Sequence, residues 1–461
     1  MSLDENENSE LPIAKFESML KTDEVYFFDA EDFEEIIHYY LNAGKVSLAK
    51  KAIRLGLNQH PQVINLRLLD VEVLVFENKL EKAEEILDSI ELIDQFNDEI
   101  YIQRANIYSK QDKHLDAIGA LQKALEIQPD QPDIYTLMGM EYLFLEDFIK
   151  AKECFITCVD LDLEDYAALY NTVYCFEYLE DYKGGIEYLN NYLNKNPYCE
   201  VAWHQLGKMY AELELYKEAL SSFDFAIYSD DRFIGAYYEK GMVLEKLERY
   251  EEAIENYEIT IKLEDPTSHA YLRLGQCHEQ LGNLDLAQSY YYQTVHEDPL
   301  LDKGWLAITN FYFTNNNFEK ASYYINKAIN IDAENPLYWK RCAEINTAMF
   351  KYFEADYAFK QAVEYGNYEL ETWVSWAEVM VLINDVNSAI EILLQALEFY
   401  PEQAEIHYFL ASLFHDTTQL FKAEKHLKKG LSIDKNVLKN FQNSRILSLS
   451  TSWAKEIISK Y

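Results

Sequence analysis

Cys154 and Cys158 stand one helical turn apart, and Cys277 is followed directly by His278. Thiol and imidazole pairs of this kind serve disulfide exchange, thiolate nucleophiles and zinc sites. Neither pair has the right company. Six cysteines in 461 residues are too sparse for a disulfide framework, and neighbouring residues of one helix point to different faces, so Cys277 and His278 cannot share a ligand. The ten histidines form no H-E-x-x-H and the cysteines no C-x-x-C. Reduced, buried thiols and no metal site are expected. Carboxylates number 80, and a pair picked from so many has no claim to acid–base work without a cleft that sets the two apart. Phosphate-cradling loops are missing, since Gly184 and Gly185 are the only adjacent glycines and stand near the start of a helix. The expectation is therefore no catalytic residue, no cofactor and no enzyme.

The net charge of −39 repels phosphate backbones and anionic lipid, which argues against nucleic-acid and membrane partners. It is unevenly spread: residues 1–35 hold twelve acids and two lysines, whereas residues 421–461 hold nine bases and three acids. Self-association of an acidic head with a basic tail is one consequence to expect. The opening MSLDENENSE has no basic and apolar leader, and no run of eighteen apolar residues occurs, so a cytoplasmic, unanchored chain is expected. With 49% hydrophobic residues but only 14 Gly and 9 Pro, long helices with brief turns suit the composition better than an all-β fold.

What must position any functional side chain is a repeat. A small residue recurs every 34 residues at Ala49, Ala83, Ala117, Ala151, Gly185, Ala219, Ala253, Ala287, Ala321, Ala355, Ala389 and Ala423. With that residue as position 20, twelve repeats span 30–437, starting at 30, 64, 98, 132, 166, 200, 234, 268, 302, 336, 370 and 404. Position 4 is mostly aromatic and takes four of the six Trp (Trp203, Trp305, Trp339, Trp373). Gly139, Gly207, Gly241 and Gly275 share position 8, and Phe155, Phe223, Tyr257 and Phe359 share position 24. Apolar stripes at 4, 7 and 11 and at 20, 24 and 27 have helical period, with a polar turn near positions 15–18 between them, so each repeat is a helical hairpin. Pro61, Pro129, Pro197, Pro299 and Pro401 at position 32 stop the second helix. One hairpin cannot bury both stripes alone, so neighbours must stack.

This pattern resembles the tetratricopeptide repeat family, most fully in Trp203, Leu206, Gly207, Tyr210, Ala219, Phe223 and Ala226. Repeats 64–97, where Arg67, Asp70 and Val71 depart from it, and 166–199, with Val173 and Gly185, are expected to pack irregularly. The resemblance implies an all-α solenoid: a right-handed superhelix of twelve antiparallel helical hairpins with terminal capping helices. Residues 1–29 would form an acidic segment whose stretch Ile13–Leu20 covers one end. Residues 438–461, with Leu438, Phe441, Ile446, Trp453, Ile457 and Ile458, would cap the other.

The resemblance also implies that positions 2, 5, 9, 12 and 13 face a groove. Carried onto this chain, they give Met140, Leu143, Phe144, Tyr170, Tyr174, Tyr178, His204, Lys208, Tyr238 and Met242 as the candidate surface, apolar and aromatic where water would otherwise sit. The same positions carry far more acids than lysines, which suits a basic or amphipathic peptide. The clamp by which one branch of the family grips the carboxylate tail of heat-shock chaperones is not reproduced, because Asn106 is paired with Ile102 and Asn310 with Leu306 where Lys belongs. The function expected is a non-catalytic scaffold or adaptor that takes a peptide or helical segment of a partner protein. The alternative is a peptide-responsive sensor or regulatory subunit of an enzyme complex.

Overall fold

The computed structural model describes residues 4–22, 26–263, 267–438 and 452–459, with the backbone alone at 4–11 and Ser452. Among the described residues there are twenty-six helices and no strand. They divide into two compact units, Met1–Asp231 and Arg232–Tyr461. Unit 1 holds α1 (Asp4–Thr22), α2 (Ala30–Asn42), α3 (Val46–Gln59), α4 (Ile64–Phe76), α5 (Leu80–Glu91), α6 (Asp98–Lys110), α7 (His114–Ile127), α8 (Pro132–Phe144), α9 (Phe148–Leu161), α10 (Tyr166–Tyr178), α11 (Tyr182–Lys195), α12 (Glu200–Glu212) and α13 (Tyr216–Ser229). Unit 2 holds α14 (Ile234–Lys246), α15 (Tyr250–Leu263), α16 (Ser268–Gln280), α17 (Leu284–Glu297), α18 (Asp302–Thr314), α19 (Phe318–Ile331), α20 (Pro336–Ala348), α21 (Tyr352–Glu364), α22 (Leu370–Leu382), α23 (Val386–Phe399), α24 (Ala404–Asp416), α25 (Leu420–Ile433) and α26 (Ser452–Ile458).

Every even-numbered helix from α2 to α24 runs from repeat position 1 to position 13, and each packs most closely on the helix that follows it except α10, which packs mainly on α9 before it. The turn between the two is the same each time. Position 15 takes a left-handed backbone, as Gly44 and Gly282 do and as Asn78, Glu180, Phe350 and Thr418 also do. This lets the position-16 amide reach the position-11 carbonyl, for example Lys351 N to Asn346 O at 2.9 Å, while Phe350 N reaches Thr347 O at 3.0 Å. The paired bonds satisfy carbonyls that a helix end otherwise orphans. Helix two starts at position 17, often capped by the position-16 side chain, as Asp147, Asp181, Asn317 and Asp385 accept from amides three residues on.

The recurrent small residues line the hairpin interiors: all eleven alanines are fully buried, and Gly185 is buried too. At position 4 the indoles of Trp203, Trp305 and Trp339 each donate to a carbonyl six residues back, at 2.9, 2.9 and 2.8 Å, tying one repeat to the previous one. Trp373 is more deeply placed than these half-buried three, and its Nε1 is buried without an acceptor.

The two weak repeats depart locally. In the first, α5 stops at Glu91 and leaves Leu92, Ile93 and Phe96 exposed. In the second, a Cβ on Gly185 would lie 2.5 Å from Met209 Sδ, so the end of a flexible side chain of the next repeat lies in the space the usual Ala fills. At the array's start, Phe16 and Met19 of α1 are buried, with the Phe16 ring 6.2 Å from Phe28 and 6.0 Å from Tyr40. At the far end, Leu438, Ala454 and Ile457 join the buried cluster of α24 and α25, with Trp453 and Ile458 packed against it. Phe441 and Ile446 lie outside the described residues, as do part of the basic tail and the side chains of residues 1–11 and 23–25 of the acidic head.

Candidate protein-binding surface

In unit 1 the candidate residues fall on three successive first helices, α8, α10 and α12. Met140 and Phe144 are exposed on α8, Phe144 at 61%. Leu143 is half-buried and packs toward Phe155 and Cys175, so it serves the core as much as the surface. The His114 ring stacks on Phe144 at 5.0 Å, and His114 Nδ1 lies 2.7 Å from Glu141 Oε2, which fixes that ring.

On α10, Tyr170, Tyr174 and Tyr178 are all exposed, Tyr178 at 57%. Their i, i+4 spacing places them one above the other on one helix face. Phe148 stacks on Tyr178 at 3.6 Å, and Tyr174 lies 6.4 Å from Tyr178, so the phenol row is held from behind without being covered. Burial pushes the Tyr170 phenol up.

On α12, Lys208 Nζ lies 3.4 Å from Glu177 Oε1 and 3.5 Å from Gln205 Oε1, which joins it to the helix of the tyrosine row. His204 is half-buried with its ring 5.9 Å from Phe223. In unit 2, Tyr238 and Met242 of α14 are half-buried, Tyr238 5.6 Å from the Tyr257 ring. The structure therefore gathers an exposed aromatic set on α8 and α10 and gives His204, Tyr238 and Met242 a larger share in packing. Phe148 and His114, which brace the set, were not singled out from the sequence because both sit outside the first-helix positions.

Cations at these positions are partly neutralised from within. Besides the Lys208 contact, Lys340 Nζ is 2.7 Å from Glu369 and 2.8 Å from Glu371. Several carboxylates have the opposite problem: burial pushes Glu99, Glu344, Glu378 and Glu405 above the usual carboxylate range. The six thiols are free and buried. Burial raises Cys154, Cys158, Cys175 and Cys342 to about 11 and Cys277 to about 12, well away from a nucleophilic thiolate. Among the described residues no group of three or more His, Cys, Asp or Glu is placed to hold a metal, and no helix is long and apolar enough to cross a membrane.

Family profiles described as tetratricopeptide repeat match residues 98–131, 132–165 and 238–301. The chain carries tetratricopeptide repeats. Several solved structures match the chain at low identity. The Cut9–Hcn1 hetero-tetramer of the APC/C is 14% identical over 88% of this chain and 94% of that one, with a TM-score of 0.42. The C-terminal part of a tetratricopeptide-repeat protein from Cytophaga hutchinsonii is 17% identical over 51% and 98%, with a TM-score of 0.45. A tetratricopeptide-repeat protein from Parabacteroides merdae is 15% identical over 61% and 98%, with a TM-score of 0.39. No curated protein matches the sequence. Tetratricopeptide repeats in general build non-catalytic scaffolds that bind protein partners.

Proposed function

We propose that this tetratricopeptide-repeat chain is a scaffold or adaptor that takes an extended or helical segment of a partner protein across the first helices of unit 1. The observation that carries this reading is the row Tyr170, Tyr174 and Tyr178, exposed on α10, with Phe148 behind Tyr174 and Tyr178. Tyrosines held rigid by a ring behind them give large contact area at small entropic cost, the usual make-up of an interface anchor. Met140 and Phe144 on α8 extend the apolar strip, and Lys208 with Glu177 supplies a polar edge. The surrounding excess of carboxylates favours a basic or amphipathic segment.

The test compares wild type with the variant Tyr170→Ala, Tyr174→Ala, Tyr178→Ala as bait in native extract, with mass spectrometry of what each retains and helicity and melting temperature as folding controls. A protein retained by wild type and lost on the folded variant supports the reading. Equal retention on both removes the tyrosine row from it.

A further inference from the structure

A cavity of about 330 Å³ opens in unit 1 among α11, α12 and α13, lined by Asn190, Trp203, Leu206, Tyr210, Ser222 and Phe225. Trp203, Leu206 and Tyr210 hold repeat positions 4, 7 and 11 and so share one face of α12. Two helical turns separate the outer pair by about 10 Å along the axis, enough for a flat ring between them. Phe225, 4.6 Å from Trp203, adds a third aromatic wall.

Two other hairpins show what fills this slot. In the repeat starting at 268, Tyr290 at position 23 stacks 6.1 Å from Tyr271 and 5.4 Å from His278, which hold positions 4 and 11. In the repeat starting at 302, Tyr324 at position 23 stacks 6.0 Å from Trp305 and 5.6 Å from Tyr312, again at positions 4 and 11. Each ring comes from the second helix and settles between the two residues of the first. Beneath these rings His278 and Tyr312 are buried. In the repeat starting at 200, position 23 is Ser222, whose side chain is too short to reach across, and Tyr210 stays half-buried.

The hydroxyl of the missing ring also has a counterpart. Tyr324 Oη lies 2.9 Å from Tyr292 Oη, and Tyr292 holds position 25 of the preceding repeat. The residue at that position beside the cavity is Asn190, which is exposed. Its Nδ2 donates to Ile186 O at 2.8 Å, so its amide oxygen faces outward duty as an acceptor.

We propose that this cavity receives a tyrosine side chain from a partner protein, its ring between Tyr210 and the Trp203–Phe225 pair and its hydroxyl donating to Asn190 Oδ1. A phenol is the group that the same slot holds elsewhere in the chain, and stacked aromatic pairs add to the gain from area burial. The rim carries both Lys217 and Glu218, which favours a neutral occupant over either sign of charge. The proposal rests on the protein-binding reading of the repeats but not on the tyrosine row, which lies on α10 at positions 5, 9 and 13.

The full chain is labelled with 5-fluorotryptophan, the Trp203 resonance is assigned with Trp203→Phe, and the peptide Ac-Gly-Tyr-Gly-amide is titrated in. A saturable shift of the Trp203 signal is expected, with none from the leucine version. The phenylalanine version binds about threefold more weakly, the effect of one hydrogen bond, and Asn190→Leu removes that preference. Ser222→Tyr fills the slot from within, so it abolishes the response without lowering the melting temperature. The variant Tyr170→Ala, Tyr174→Ala, Tyr178→Ala responds as wild type, which keeps the two surfaces separable. No saturable shift at Trp203, an equal shift with the leucine peptide, or a fall in melting temperature on Ser222→Tyr overturns the proposal. A Trp203 shift that grows with protein concentration alone assigns the slot to a second copy instead. A small aromatic compound found on wild type and absent from Ser222→Tyr in native mass spectra likewise overturns the partner side chain as occupant.

Discussion

A Cβ on Gly207 would stand 2.5 Å from a ring carbon of Phe223, sixteen residues later in the same hairpin. The same relation holds between Gly139 and Phe155, Gly241 and Tyr257, and Gly275 and Tyr291, at 2.6, 2.6 and 2.5 Å. The missing side chain is thus the space into which the second helix presses its aromatic ring. Gly207→Ala gains helix propensity but overpacks the contact, so a net loss of about 1–2 kcal/mol is expected in chemical unfolding. Phe223→Leu on that background should cost less than on wild type, because the two changes relieve one another.

Phe350 occupies the left-handed turn position with φ 61° while its ring is 77% exposed. A bulky residue is strained there and buries little in return. Phe350→Gly is expected to stabilise unit 2 by about 1 kcal/mol, read as a rise in melting temperature. Gly282→Phe, the reverse change at the same repeat position, should lower it.

His407 Nδ1 and His426 Nδ1 are 2.9 Å apart between α24 and α25. Burial first, then His407 and the cations Lys425 and Lys422, push His426 down to about 4. The unfolded chain therefore takes up this proton first as pH falls from about 6.5. The pair's stabilisation is full above that pH and is lost on going down toward 4. Melting temperatures at pH 7.5 and 5 should differ more for wild type than for His426→Gln.

Glu378 carries the opposite sign, since burial and then Glu405 raise it above the usual carboxylate range. Its charge opposes folding at neutral pH, and that penalty fades as pH falls to the raised value and the folded state gains the proton. Glu378→Gln should raise the melting temperature at pH 7.5, with a gain that shrinks toward pH 4.

The hairpins were legible because Ala49 to Ala423 mark one structural slot at constant spacing, and a small residue there has one physical use. The turn geometry was not legible. Glu180 and Phe350 give no sign of a left-handed backbone, which the closing hydrogen bonds impose regardless of side chain. The tyrosine row was found from the groove positions of the family, yet the same rule gave His204 and Tyr238, whose rings pack on Phe223 and Tyr257. Position states which way a residue sets out, and only the neighbour across the hairpin decides how far it is covered. Tyr257 with Glu245 and Tyr291 with Glu279 left a faint signal, Tyr at position 24 with Glu at position 12 in consecutive repeats, that reads as ordinary core and surface until the hydroxyl is seen to cross the hairpin.

The most direct measurement places a photo-crosslinking benzoylphenylalanine at Tyr174, and separately at Tyr323, an exposed tyrosine on the second helix α19. After irradiation in native extract, a protein adduct is expected at position 174 and not at 323. The same adduct at both positions, or at 323 alone, would contradict binding across the first helices of unit 1.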